Sequence, residues 1–240
     1  MKTISANWNA PGNIGAVTTT RIGGHSKVPY DGFNLGLHVG DEKATVHENR
    51  NRLKEHLSLP NEPDWLNQTH SNHVVIVEED TERTADATIT RAPQHVLAIM
   101  TADCLPILLC DRAGTEIAAI HAGWKGLANG IIEQTIKKMQ KQPSELVAWI
   151  GPAICGGCYE VGDEFVEAFN QAYPAYEQCF IKKARWYADL PKLAQMILVE
   201  DGIIDVSQSE VCTFEDEERY YSYRRDGESG RIATLIWFRG

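Results

Sequence analysis

The chain has 240 residues, 43% apolar and 23% charged, the composition of an ordinary folded protein rather than a disordered or collagen-like one. Its formal charge of −10 repels phosphate backbones, and no run of Lys and Arg offsets that field, which excludes a nucleic-acid partner. Residues 1–12 lack the apolar stretch of a signal peptide, and the most apolar run, 95–110, is broken by Thr101, Asp103 and Pro106, which excludes a membrane span. Six cysteines without a secretory signal then read as thiols or metal ligands in a cytoplasmic protein.

No repeat, low-complexity stretch or linker-like run divides the sequence, so one domain over residues 1–240 is expected. Residues 15–20 read as a short strand, followed by glycine-punctuated loops at Arg21-Ile-Gly-Gly and Asp31 to Gly40. Residues 45–57 have helical character, and 73–77, 95–100, 105–110 and 116–120 read as strands. The last strand ends in His121-Ala-Gly-Trp-Lys-Gly, a glycine-rich turn, before a helix over 131–141 whose positions 131, 132, 135, 136 and 139 share one face. This strand-turn-helix unit places His121 at a strand end. Residues 146–150 form a strand stopped by Gly151-Pro152, and 163–173 and 190–200 form helices. The C-terminus returns to β over 210–213, 220–224 and 231–238, with Asp226-Gly and Ser229-Gly supplying turns. Strands and helices mix without a strict βαβ rhythm, so the expected class is α+β (mixed α/β), with mixed sheets flanked by helices.

His70, Cys104 and His121 each sit at or beside the end of an expected strand, where side chains from separate strands converge on one pocket. Their wide spacing is unlike the close pairs of a structural zinc site. Taken singly, His70 either ligates or caps a turn with Ser71 and Asn72. Cys104 is either a ligand or a small buried hydrophobe, and His121 either ligates or bonds its neighbouring loop.

The surrounding segments narrow these alternatives. Gln68-Thr-His70, Thr101-Ala-Asp-Cys104-Leu-Pro and His121-Ala-Gly-Trp-Lys-Gly resemble, in this order, signature segments of the YfiH-like family, also called the laccase-domain or multicopper polyphenol oxidase family. The resemblance extends to Thr20-Arg21-Ile-Gly-Gly, Phe33 to Asp41, Gly151-Pro, Cys158-Tyr-Glu-Val-Gly162, Ser222-Tyr-Arg-Arg-Asp-Gly227 and Gly230-Arg231, so it spans nearly the whole chain. It implies a YfiH-like fold and one zinc held by His70, Cys104 and His121. It also implies purine nucleoside chemistry: phosphorolysis of adenosine, inosine or S-methyl-5′-thioadenosine, together with adenosine deamination. Two other labels attach to the family, an editing factor for serine-containing peptidoglycan precursors and a copper-dependent phenol oxidase. The oxidase needs several copper ions and about ten or more ligands, mostly histidine in tight pairs. With eight histidines and no His-x-His, this chain favours zinc over copper.

A His₂Cys site with an open fourth position is of the catalytic type. For deamination, Asp103 beside the thiolate is the carboxylate first in line to move a proton; the alternative is a turn residue facing away from the metal. Phosphorolysis asks instead for cationic donors, and Arg21, Lys125, Arg224 and Arg225 are the candidates, each with a surface ion pair as its alternative role. Asn34 either contacts ribose or base or makes its turn. Cys155 and Cys158 form a Cys-x-x-Cys spacing with no second pair to complete a tetrahedron, and read as loop thiols near the site, not ligands. Trp124 either flanks the pocket or packs in the core. The expected partners are purine nucleosides and phosphate, with the protein a monomer or homodimer.

Overall fold

Continuous apolar runs such as Val96 to Met100 and Leu105 to Cys110 can satisfy both faces only when each strand is covered on two sides, which dictates a layered arrangement. The computed structural model describes residues 1–240 and shows this layering. The strands run β1 (Thr3–Ser5), β2 (Ile14–Thr19), β3 (Asp64–Trp65), β4 (Val74–Ile76), β5 (Ala87–Thr90), β6 (Val96–Thr101), β7 (Leu105–Asp111), β8 (Ile117–Ala122), β9 (Leu146–Ile150), β10 (Glu160–Val161), β11 (Phe180–Lys182), β12 (Trp186–Ala188), β13 (Asp205–Gln208) and β14 (Ile232–Phe238). The helices are α1 (Lys43–Leu57), α2 (Trp124–Ala128), α3 (Ile131–Lys138), α4 (Asp163–Ala172), α5 (Leu190–Glu200) and α6 (Tyr223–Asp226).

A five-stranded sheet, β1-β2-β14-β6-β3, stacks on a six-stranded sheet, β13-β9-β7-β8-β5-β4, while β10-β12-β11 form a small third sheet. Both large sheets are mixed: β3 joins β6 in parallel, as do β13 with β9 and β4 with β5, and the other pairs are antiparallel. Period-two alternation divides each strand between layers. Leu97 and Ile99 of β6 meet Leu108, Cys110 and Trp149 between the two sheets, whereas Val96 and Ala98 pack with Leu35 and Leu53 under α1. On the far face of the six-stranded sheet, Ile107 and Leu109 pack against Ile132, Leu193 and Ile197 of α3 and α5. A one-residue slip would exchange these layers, so the register is strongly specified. No helix is long and apolar enough to cross a membrane.

Three expectations differ from the structure. Residues 210–213 are not a strand; the last strand of the six-stranded sheet is β13, whose half-buried polar residues Asp205, Ser207 and Gln208 conceal its pattern, and beyond it only an Ala153–Cys212 bridge remains. Residues 220–224 are not a strand either. Tyr220 and Tyr221 are buried, and Ser222 then caps α6 by accepting from the Arg225 N–H at 3.2 Å. Residues 124–128, expected as part of a turn, form the short helix α2.

Candidate metal centre and its cleft

Three features hold His70 in place. The Gln68 side-chain amide brackets the Met100 peptide, donating to its carbonyl and accepting from its N–H at 2.8 Å each, which fixes the loop after β3 against the end of β6. His70 itself adopts φ of 60°, a left-handed conformation stabilised by its N–H donating to Asp86 at 3.0 Å. Gly123 leaves room for the ring: a Cβ there would lie 2.5 Å from His70 Cδ2 and 3.3 Å from Cys104 Sγ.

Cys104 follows the turn between β6 and β7, and His121 lies inside β8, paired in register with Pro106. The three donor atoms lie within 4.8 Å of one another, with Cys104 Sγ 3.7 Å from His70 Nε2. Tetrahedral zinc with bonds of about 2.3 Å to sulfur and about 2.0–2.1 Å to nitrogen asks for a sulfur–nitrogen separation of roughly 3.6 Å. His70, Cys104 and His121 therefore form a cluster able to hold a metal ion. His70 is exposed and Cys104 half-buried, so the fourth side faces the cleft.

Asp86 organises the cluster. Fully buried, it accepts His121 Nδ1–H at 2.8 Å, the N–H groups of Thr69, His70 and Ser71, and the Ser71 hydroxyl at 2.7 Å. Burial alone would raise its pKa, but the bonds from His121 and Ser71 hold it well below the usual carboxylate range. An aspartate bonded to Nδ1 leaves His121 Nε2 free for a metal. Burial likewise opposes ionisation of Cys104 and His121, yet their mutual attraction, with His70 and Asp86, brings the thiol down to about 6 and lifts the imidazole to about 9.

A cleft of about 410 Å³ opens over the cluster, within the roughly 300–1,000 Å³ of small-molecule sites. Trp124, Ile154, Tyr159 and Leu190 supply an apolar wall, and Lys125 and Arg224 bring the cations. Arg224 stacks over the Tyr159 ring at 4.8 Å and donates to the Glu160 carbonyl at 2.5 Å. Tyr159 and Tyr223, which lie inside two of the signature segments without having been singled out there, also line the cleft. Trp124 plays both of its alternative parts, reaching the cleft while packing on Phe165 at 5.3 Å.

Other sequence candidates fall elsewhere. Arg21 pairs with Asp31 at 2.8 Å and lies 4.7 Å over the Tyr221 ring, outside the cleft lining. Arg225 spends its donors on the carbonyls of Thr213, Phe214 and Tyr220 and on Asp226. Asn34 is fully buried in a knot with Asp41, Gly36 and Arg231. All three already have protein partners and tie together loops beside the cleft. Asp103 lines the cleft, but its oxygens accept from Thr213 Oγ1 at 2.7 Å, Ser222 Oγ at 2.9 Å and the Arg224 N–H at 2.7 Å. This geometry makes it an anchor for the C-terminal loops.

Sequence reasoning missed Asp86, a lone acid before β5 with no motif around it. Cys155 and Cys158 have no second pair in the sequence, and in the structure they lie beside Cys212, 57 residues after Cys155, and Glu215.

The sequence profile of the family described as multi-copper polyphenol oxidoreductase laccase matches residues 15–239. The chain belongs to this family. Within the laccase-like, YfiH-containing family it is 43% identical to the purine nucleoside phosphorylase of Haemophilus influenzae over 99% of this chain and 100% of that protein. It is 42% identical to purine nucleoside phosphorylase YfiH of Escherichia coli over 98% of both. The crystal structure of a Neisseria meningitidis protein of family DUF152 superposes with a TM-score of 0.95 at 42% identity, covering 100% of both chains. That of YfiH from Bacillus licheniformis gives 0.86 at 30% identity, covering 94% of this chain and 93% of the other.

Proposed function

We propose that the chain is a zinc-dependent purine nucleoside phosphorylase, splitting adenosine, inosine and S-methyl-5′-thioadenosine into base and (methylthio)ribose 1-phosphate, and that the same cleft deaminates adenosine. The observation that carries this reading is a single cleft where a His/Cys/His donor set, an aromatic wall and two cations meet. The names of the Haemophilus and Escherichia relatives, matched along their whole length, support it. Mixed nitrogen and sulfur donors with one open side suit zinc, whereas an oxidase needs several copper ions and about ten or more ligands. The chain has eight histidines, and the cluster uses two of them. Zinc, when bound, supplies Lewis acidity at the floor of the cleft.

The protein's own groups account for the rest. Trp124 and Tyr159 offer flat apolar faces to a heterocycle, and Lys125 and Arg224 draw the phosphate. A phosphate oxygen attacks C1′ of the ribose while the glycosidic C–N bond breaks, and the bonding pair departs with the base. Arg224 meets this event already oriented, since Asp103 holds its N–H and the Glu160 carbonyl its guanidinium. Burial pushes the Tyr159 phenol up to about 12, so at neutral pH it remains an O–H donor. Asp103 acts by fixing Arg224, and the phosphate-handling part falls to Lys125 and Arg224 in place of Arg21 and Arg225.

The test is to make His70→Ala, Cys104→Ala and His121→Ala and follow activity, zinc content and circular dichroism together. Each variant is expected to keep its fold, lose about one zinc per chain and lose nucleoside turnover. A variant that keeps near wild-type turnover with its zinc bound overturns the assignment of that residue.

A further inference from the structure

Behind the apolar wall of the cleft lies a second set of soft donors. Cys155 and Cys158 follow β9, and Cys212 and Glu215 follow β13; their ligand atoms all lie within 4.8 Å of one another. The Cys155 N–H donates to Cys212 Sγ at 3.3 Å, and the Cys158 thiol meets a Glu215 oxygen at 3.6 Å. The parallel bridge between Ala153 and Cys212 sets the two segments side by side, so the cluster is built into the sheet edge. Two of the thiols come from a Cys-x-x-Cys turn, a spacing that places two sulfurs on one cation.

We infer that Cys155, Cys158, Cys212 and Glu215 form a second metal site, for a thiophilic divalent cation such as zinc, closed by four protein ligands. Three thiolates and a carboxylate suit Zn²⁺ and are too soft for Mg²⁺ or Ca²⁺. No arginine or lysine pairs with Glu215, whose one side-chain partner in the protein is the Cys158 thiol. A dication is the group that lets the crowded thiols ionise together, releasing their protons on binding.

The position gives the site its purpose. Each cysteine is the chain neighbour of a residue that shapes the cleft: Cys155 follows Ile154, Cys158 precedes Tyr159, and Cys212 precedes Thr213, which donates to Asp103. A cation here staples the loop carrying Tyr159 to the segment that holds Asp103, and through it Arg224. The site is structural, in contrast to the open His/Cys/His centre.

The experiment uses the full chain, purified under reducing conditions, reconstituted with Zn²⁺ and freed of excess metal. Elemental analysis is expected to give about two zinc ions per chain in the wild type and about one in His70→Ala and in Cys155→Ser/Cys158→Ser alike. Glu215→Gln, the gentler change, keeps the second ion but releases it to chelator at least about tenfold faster. Co²⁺ added to the metal-free His70→Ala/His121→Ala protein should give intense sulfur-to-cobalt charge-transfer bands that vanish on adding Cys212→Ser. Wild type with a single zinc, undiminished by Cys155→Ser/Cys158→Ser, overturns the inference. So does a disulfide between two of these cysteines in protein isolated with alkylation from reducing buffer, shown by two fewer alkyl groups than the six cysteines would take up as thiols.

Discussion

The two sulfur-bearing clusters are assembled in opposite ways. In the His70/Cys104/His121 cluster a fully buried carboxylate, Asp86, takes up three backbone N–H groups and one ring nitrogen, so the donors are aimed before anything binds. In the Cys155/Cys158/Cys212/Glu215 cluster the contacts given by the protein are the donors' own, and the carboxylate sits among the candidate ligands instead of behind them. The first cluster opens on a cleft with cations at its rim, and the second lies behind that cleft's wall. Partners outside the donor set thus aim the first cluster, whereas the second has only its own donors to shape it.

The largest effects are expected at Asp86. Asp86→Ala leaves three part-buried N–H groups and the buried His121 ring unpaired, a cost of about 3–5 kcal/mol, and is expected to unfold at clearly lower temperature. Asp86→Asn preserves the shape and should mainly weaken zinc binding at the first cluster, by roughly 10–100-fold in a competition titration. If Asp86→Asn binds zinc as the wild type does, the aiming role is wrong.

Next in size, Gly123→Ala places a methyl against His70 and Cys104 while leaving the core untouched. Turnover should fall about 100-fold with a thermal midpoint close to wild type, since small displacements of positioned groups cost that much. Arg224→Ala is expected to raise the phosphate KM and cost roughly 2–4 kcal/mol of transition-state stabilisation, whereas Arg21→Ala should reduce stability and leave the phosphate KM alone. Equal KM effects would return Arg21 to the cleft. Asp103→Asn should depress phosphorolysis more than deamination, measured as base and ammonia release from adenosine, because it holds Arg224, which draws the phosphate, alongside Thr213 and Ser222. A loss confined to deamination would restore the proton-shuttle role. The smallest effect is Thr213→Val, which removes one hydrogen bond to Asp103 and should cost about 1 kcal/mol by chemical denaturation.

The limits of the sequence follow the same division. Strands with apolar residues on both faces, such as β6 and β7, announce themselves, and so does α5, whose residues 190–200 have the extent the sequence suggests. The half-buried β13 and the capped α6 do not, because one has polar residues in a strand and the other has aromatic residues before a helix. At the centre, His70, Cys104 and His121 sit in distinctive segments, two of which answer a local demand: Gln68 hydrogen-bonding Met100, and Gly123 making room for His70. Asp86 has no such segment, since its partners arrive from the 69–71 loop and from β8 only on folding. Arginines are the least legible. Arg224 and Arg225 are adjacent in sequence, yet one lines the cleft and the other is consumed by three carbonyls and Asp226, a difference set by α6 and invisible in a list of residues.

The most direct test of the central claim is release of free base from inosine by zinc-reconstituted protein, followed with and without phosphate. Hypoxanthine is expected to appear together with ribose 1-phosphate only when phosphate is present, and Cys104→Ala is expected to abolish both products. Base release at the same rate without phosphate, or no nucleoside turnover alongside copper-dependent oxidation of a phenol, would contradict that claim.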